Sequence, residues 1–441
     1  MHTITIKLQF FSCPDYTPKK HKIKVNTIVL YILLKCSFDI NFFMQKSPFW
    51  LRYMYSNPLS KYNLIQMTRI TSTSMYLCYN INKFMEEMYM KSKIKRILDF
   101  STAFGPSGME DEVSKLAMED VKDICEVHDD TMRNTYMHFK QDKEHETTIL
   151  LDAHADEVGF IVQAIKPNGT IRFLPLGGWD PKNIVSGEVW ILNDRGEKVS
   201  GIVASQPVHF LSEAKRNGKV DFDDLVIDVG ATSATEVKED FHISVGNFMC
   251  PAVTCKYDEA HKIFLGKAFD CRIGCAAVMD VLHQLKDVNH NIEATLTTQE
   301  EVGERGMDTA IKNLSPNIAI CFEGCPSDDT FEQDYMIQSA LKKGPMLRWF
   351  DRSYITSPRF MRYAIDLAHE KNIPVQESVR KGGGTNAGIT HRYNIPTIII
   401  GIPVRFAHAS FGICSEEDYD NAVKLAVEII KNIDAETIRG F

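Results

Sequence analysis

The chain reads as an α/β protein, with a mostly parallel sheet flanked by helices and a small β-rich insertion. Three observations predict this. Beyond residue 90, short apolar runs alternate with segments of helical spacing, the pattern of successive βα units. Several of these runs are apolar throughout and turn polar only at their C-terminal ends, as strands buried on both faces of a sheet do. Between about 161 and 252 the pattern changes to Val-, Ile- and Phe-rich runs punctuated by glycine turns.

Residues 1–89 stand apart from the rest. They hold none of the 25 glycines, and they are basic in a chain whose formal net charge is −8. Lys19-Lys20-His21-Lys22 followed by Ile28–Leu34 outlines the charged and apolar parts of a signal peptide. The apolar part is short and no small-residue cleavage site follows, so the segment is read as an extension outside the main body. From Met90, Ile94, Ile97 and Leu98 share a helix face. Gly105-Pro106-Ser107-Gly108 breaks that helix, and Ser107 with Glu110 predicts a capping box for a second helix to about Val121. Two β-like runs lead to Thr148–His154.

The insertion is marked by turns at Pro167-Asn168-Gly169, Gly177-Gly178, Asp194-Arg195-Gly196 and Asn217-Gly218. The βα alternation resumes at Lys262–Leu265, and Asp270-Cys271-Arg272-Ile273-Gly274 leads into a helix over about Cys275–Leu285. A strand over Ile292–Thr298 ends in Gln299-Glu300-Glu301-Val302-Gly303, before a helix near Glu304. Asn317–Phe322 is a buried strand ending in Glu323-Gly324. Ser357-Pro358 opens a helix to about Lys371. Ile373–Glu377 is a strand, Gly382–Asn386 a flexible loop and Ile395–Ile402 a strand leading to His408. Glu416–Ile433 is the last helix. The organisation expected is an extension (1–89), a main domain in two parts (90–160 and 253–441) and the insertion (161–252).

Bulk properties narrow the function classes. The acidic balance argues against nucleic-acid binding. No apolar run reaches the ~20 residues of a membrane span. The eleven cysteines are scattered without a C-x-x-C pair, which gives no support to a zinc ribbon and points to a reducing, cytoplasmic setting.

The chemistry lies in what the strand ends carry. His154, Asp270, Glu301, Glu323 and His408 each fall at or just after the end of a predicted strand, and parallel strands place such ends along one edge, where ligands bind. Two histidines and three carboxylates make a donor set suited to Zn, Co or Mn. Five ligands serve two ions only if one carboxylate bridges them. Glu300 and Glu301 are adjacent in a strand-like run, so their side chains diverge. One can hold a metal while the other takes a proton from water.

Taken together, His154-Ala155-Asp156-Glu157-Val158-Gly159, Asp270-x-Arg272-x-Gly274, Glu300-Glu301-Val302-Gly303, Phe322-Glu323-Gly324 and Ile402-Pro403-x-Arg405-x-x-His408 resemble the M42 family of metallo-aminopeptidases, from about Met90 to the C-terminus. The resemblance implies a zinc-peptidase-like catalytic domain and makes the insertion a dimerisation domain. It implies two divalent ions per subunit: Asp270 bridging, His154 and Glu323 on one ion, Glu301 and His408 on the other. Glu300 becomes the general base, and Asp156 orients His154. Substrates are peptides with a free N-terminus, and the assembly is a homo-oligomer, a dimer or a dodecamer. Arg405 is a candidate for binding an acidic substrate side chain, with a structural ion pair as its other reading. Relatives carry a second Asp where this chain has Cys271, which is read as a packed thiol and alternatively as a softer ligand. A deacylase or carboxypeptidase on the same scaffold is the rival hydrolase. A glycosidase fits poorly, because adjacent carboxylates diverge and do not flank a bond. A non-catalytic scaffold predicts the loss of a ligand, and none is lost.

Overall fold

The computed structural model describes residues 90–213, 218–286 and 288–441. The extension over 1–89 and the turn residue Asn217 lie outside these. In chain order, β1 (Cys125–Asp129), β2 (Thr135–Phe139) and β3 (Thr148–His154) precede a second set of six. These six are β4 (Gly159–Ile165), β5 (Ile171–Leu176), β6 (Glu188–Leu192), β7 (Lys198–Ala204), β8 (Val226–Asp228) and β9 (Phe248–Pro251). Then come β10 (Lys256–Asp258), β11 (Ile263–Gly266), β12 (Asn291–Thr297), β13 (Ile318–Pro326), β14 (Met346–Phe350), β15 (Gln376–Val379), β16 (Thr397–Arg405) and β17 (Gly412–Ser415).

The first and third groups form one sheet, in the order β1-β2-β12-β3-β13-β16-β17-β11-β10, with β14 and β15 joined at β16. The sheet is mixed, not mostly parallel. Its centre, β12-β3-β13-β16, is parallel, and both flanks are antiparallel. Connection length accounts for three of the antiparallel pairs. A parallel neighbour needs a crossover of a dozen or more residues. The links from β1 to β2, β10 to β11 and β16 to β17 are short turns, which permit only antiparallel pairing.

The central strands are buried nearly end to end, β13 and β16 above all. Each buried aliphatic side chain there contributes roughly 1.5–3 kcal/mol, which makes the centre a firm platform. Helices cover both faces. Helix α1 (90–102) is followed by α2 (Asp111–Val121), α3 (Ala234–Glu239), α4 (Phe269–Gln284), α5 (Arg305–Ala310), α6 (Pro358–Glu370), α7 (Asn386–Arg392) and α8 (Glu416–Asn432). Every residue of α4 from Cys271 to Leu282 is buried, because α4 is enclosed by the sheet and by α8.

Ser107 and Glu110 do not form the expected capping box, since α2 begins at Asp111 without a side-chain cap. The two side chains are drawn instead to the loops after β3 and β12. Ser107 Oγ donates to Asp156 Oδ2 at 2.6 Å, and Glu110 Oε1 accepts the backbone N–H of Gln299 at 3.1 Å.

Strands β4–β9 close into a barrel in the order β4-β5-β8-β7-β6-β9. It has its own apolar core, including Phe160, Ile171, Ile191, Ile227 and Met249, apart from the core under the main sheet. Gly169 and Gly196 take positive φ at its turns, where a β-carbon would be strained. Among the described residues, no helix is long and apolar enough to cross a membrane.

Candidate active site

Register alone brings three polar side chains to one edge. Thr297 of β12 stands opposite His154 of β3, and Cys321 of β13 stands opposite Asp152, which puts Glu323 level with His154. Asp270 enters from the start of α4, where Asp270 and Cys271 have non-helical dihedrals and are joined by a cis peptide. The approach is close: a β-carbon on Gly324 would collide with the backbone of Phe269 and Asp270. The Arg272 guanidinium locks this corner, donating to the carbonyls of Phe100, Ala103, Gly105 and Ala155. His408 arrives from beyond β16 on a backbone in the left-handed region, with φ 55°.

The structure brings His154, Asp270, Glu300, Glu301, Glu323 and His408 together. His154 Nε2 lies 3.2 Å from Asp270 Oδ1, 3.6 Å from Glu323 Oε2 and 3.9 Å from Glu300 Oε2. His408 Nε2 lies 3.3 Å from both Asp270 Oδ2 and Glu301 Oε1. Asp270 therefore turns one oxygen to each histidine. On the far side of each ring, Nδ1–H donates to a backbone carbonyl, that of Asp156 at 3.1 Å from His154 and that of Gly178 at 2.8 Å from His408. Those bonds fix the tautomers and aim both Nε2 atoms at the carboxylates, as in a histidine poised to ligate metal.

Asp156 does more than face His154. Its carboxylate is fully buried and accepts the backbone N–H groups of Glu300 at 2.9 Å and Glu301 at 3.1 Å, besides the Ser107 hydroxyl. It thereby sets the backbone from which the two glutamates diverge. The turn they stand on is tight, with Gln299 and Glu304 at positive φ on either side of the pair.

Electrostatics tests whether cations belong here. Burial, reinforced by neighbouring carboxylates, pushes Glu323 up to about 8 and holds Glu300 well above the ordinary carboxylate range. Against the opposing effect of burial, Glu301 and Asp270 carry His408 up to about 12. Glu301 Oε1 is buried without a well-formed hydrogen bond. Four crowded carboxylates, Glu323 buried and the other three largely so, call for positive charge. The donors fall into two groups that share Asp270: His154, Asp270 and Glu323, and Asp270, Glu301 and His408. The residues fit divalent ions. Cys271 Sγ is close to the first group, but it donates to the Phe322 carbonyl at 3.2 Å and burial keeps its pKa well above that of an ordinary thiol. In this structure it packs as a hydrogen-bonded thiol.

These groups open into a cleft of about 490 Å³, within the range of ligand sites. Its other walls include Gly178, Glu304, Arg348, Arg380 and the loop Gly382-Gly383-Gly384-Thr385. Arg405 is not among them. Its guanidinium pairs with both carboxylate oxygens of Asp329, at 3.0 and 2.6 Å, so of its two readings the structure gives it the ion pair. Sequence reasoning missed Arg348, Arg380 and Glu304. Glu304 carried a signal, as an acid one residue beyond Glu300-Glu301-Val302-Gly303. The arginines carried none, because their arrival depends on how distant loops return.

A family model described as M42 glutamyl aminopeptidase matches residues 134–425. The glutamyl aminopeptidase of Lactococcus lactis is 31% identical over 301 residues, covering 67% of this chain and 83% of that protein. Among solved structures, the TET aminopeptidase of a marine sediment Thaumarchaeota archaeon superposes with a TM-score of 0.76 at 33% identity, covering 80% of this chain and 99% of that one. The Pyrococcus horikoshii TET1 peptidase, which can assemble into a tetrahedron or a large octahedral shell, matches with a TM-score of 0.69 at 25% identity, covering 77% and 100%.

Proposed function

The chain belongs to the M42 glutamyl aminopeptidase family, and on that premise we propose that it removes N-terminal residues from peptides with the help of two divalent metal ions. One observation carries the two-ion reading: Asp270 directs its two oxygens to two histidines, each with a further carboxylate beside it. In this reading Asp270 would serve both ions, His154 and Glu323 would hold one, and Glu301 and His408 would hold the other. The donor set favours zinc, with cobalt or manganese as substitutes. When bound, the ions polarise the scissile carbonyl and acidify the attacking water.

The remaining work belongs to side chains. Glu300 lines the cleft, and its carboxylate makes no hydrogen bond among the described residues, so it is free to take the water's proton. As general base it would then pass that proton to the leaving amine. Asp156 is a positioning residue, holding the Glu300 and Glu301 amides and the ring of His154.

The wider reading follows the same support. The barrel is proposed as a dimerisation domain interrupting the catalytic domain, with residues 1–89 as an extension. The assembly is proposed as a homo-oligomer, a dimer or a dodecamer; the Pyrococcus horikoshii relative can assemble into a tetrahedron or a large octahedral shell. The cytoplasm is proposed from the scattered cysteines.

Turnover of aminoacyl anilides and their N-acetylated counterparts tests the activity. Cleavage of the free-amine forms, lost on chelation and restored by zinc, cobalt or manganese, is the expected result. Release of acetate from the blocked forms alone would identify a deacylase.

A further inference from the structure

Beyond the residues of the metal cluster, three charged side chains line the cleft: Glu304, Arg348 and Arg380. Their situations differ. The Arg348 guanidinium pairs with Asp351 at 3.1 Å and lies in the field of Glu323, and Arg380 pairs with Asp328 at 2.7 Å. Each arginine thus has its own carboxylate, and neither adds net positive charge to the cleft. Glu304 has no such partner. Among the described residues its carboxylate makes no hydrogen bond and no ion pair. The positive group whose field reaches it is Arg392, which is exposed, lies beyond ion-pair distance and is absent from the cleft wall.

The position of that carboxylate is built into its surroundings. A β-carbon at Gly384 would run into Glu304 Oε1, so glycine there leaves the carboxylate its place beside the 382–385 loop. Glu304 also stands on the same turn as the two glutamates, its backbone N–H donating to the Glu300 carbonyl at 2.9 Å. A half-buried carboxylate without a counter-charge is unfavourable until a ligand supplies one.

We propose that Glu304 selects the first residue of the substrate, so that the cleft favours peptides beginning with lysine or arginine over those beginning with an acidic residue. The proposal rests on the aminopeptidase reading above. The ammonium or guanidinium of the substrate's first side chain pairs with the Glu304 carboxylate, against the wall formed by Gly384. An acidic side chain at the same place meets a like charge. Arg348 and Arg380, held by their own aspartates, do not offset that repulsion.

The test is kcat/KM on lysyl, arginyl, leucyl and glutamyl p-nitroanilides, for the unaltered protein and for Glu304→Gln and Glu304→Lys. Ratios between substrates on one protein are unaffected by how much of that protein is folded. The unaltered protein is expected to prefer the lysyl over the glutamyl substrate by at least about tenfold. Glu304→Gln should lower the lysyl-to-leucyl ratio by about tenfold, equivalent to ~1.4 kcal/mol. Glu304→Lys should turn the preference toward the glutamyl substrate. Equal use of lysyl and glutamyl substrates by the unaltered protein would overturn the proposal while leaving the aminopeptidase reading intact. So would an equal loss on lysyl and leucyl substrates in Glu304→Gln, which would put the carboxylate on the α-amine common to both. Cleavage of none of the four by metal-loaded protein would remove both readings.

Discussion

Replacing Asp156 with asparagine should damage stability and turnover together, because one carboxylate holds the loop that carries both glutamates. In the native protein its oxygens accept from Glu300 N–H, Glu301 N–H and Ser107 Oγ–H, within a fully buried setting. Asparagine keeps the shape and one carbonyl oxygen, which still serves Glu300. Its amide NH2 then faces the Glu301 N–H, leaving that donor unpaired, while Ser107 rotates to accept. One buried donor without a partner costs about 1–3 kcal/mol, and the loss of charge from the remaining bonds adds roughly 1 kcal/mol. The expected loss is therefore about 2–4 kcal/mol. It is read by urea unfolding of the metal-free protein, so that metal linkage does not mask it. Release of the Glu301 N–H should shift the shared Glu300–Glu301 backbone, and a shift of ~1 Å should lower kcat by about 10²-fold. Ser107→Ala removes only one donor and should cost about 1 kcal/mol. Unchanged unfolding and kcat within twofold of the parent for Asp156→Asn would refute the assignment of Asp156 as the holder of this loop.

Metal binding should release protons. In the metal-free cluster His408 is carried up to about 12 and Glu323 up to about 8, so both hold protons at pH 7 and must lose them to become ligands. Apparent affinity should then rise with pH and fall on acidification, and calorimetry in buffers of different ionisation enthalpy should record net proton release. No release would contradict the ligand set. Removing about residues 162–252 behind a short linker should leave a monomer with little activity. Sedimentation showing an unchanged oligomer would remove the association role proposed for the barrel.

The central strands and the polar edge were legible because their physics is local. Leu150-Leu151-Asp152-Ala153-His154 and Ile320-Cys321-Phe322-Glu323 are apolar where the sheet buries them and polar where it ends. The mixed sheet was not read, because strand direction depends on connection length, and the short link from β16 to β17 carries no periodicity. Ser107 and Glu110 match a local capping pattern, yet the needs of Asp156 and the Gln299 turn outweigh the helix end. The hold of Gly178 on His408 was also hidden, since a backbone carbonyl acceptor has no signature in residue type. Glu304, Arg348 and Arg380 meet only because loops distant in sequence return to one cleft.

The division of labour between Glu300 and Glu301 is the centre of the account, and metal content measured beside kcat tests it most directly. The substrate is an aminoacyl anilide or short peptide with a free N-terminus. Glu300→Gln leaves all five proposed ligands in place, so metal content should stay near that of the parent while kcat falls by about 10²–10⁴-fold, the usual worth of a general base. Glu301→Gln removes the carboxylate facing His408, so it should lose one ion and recover partly at high metal concentration. Metal lost from Glu300→Gln and kept by Glu301→Gln would reverse the two roles, and full activity in both variants would place the chemistry elsewhere.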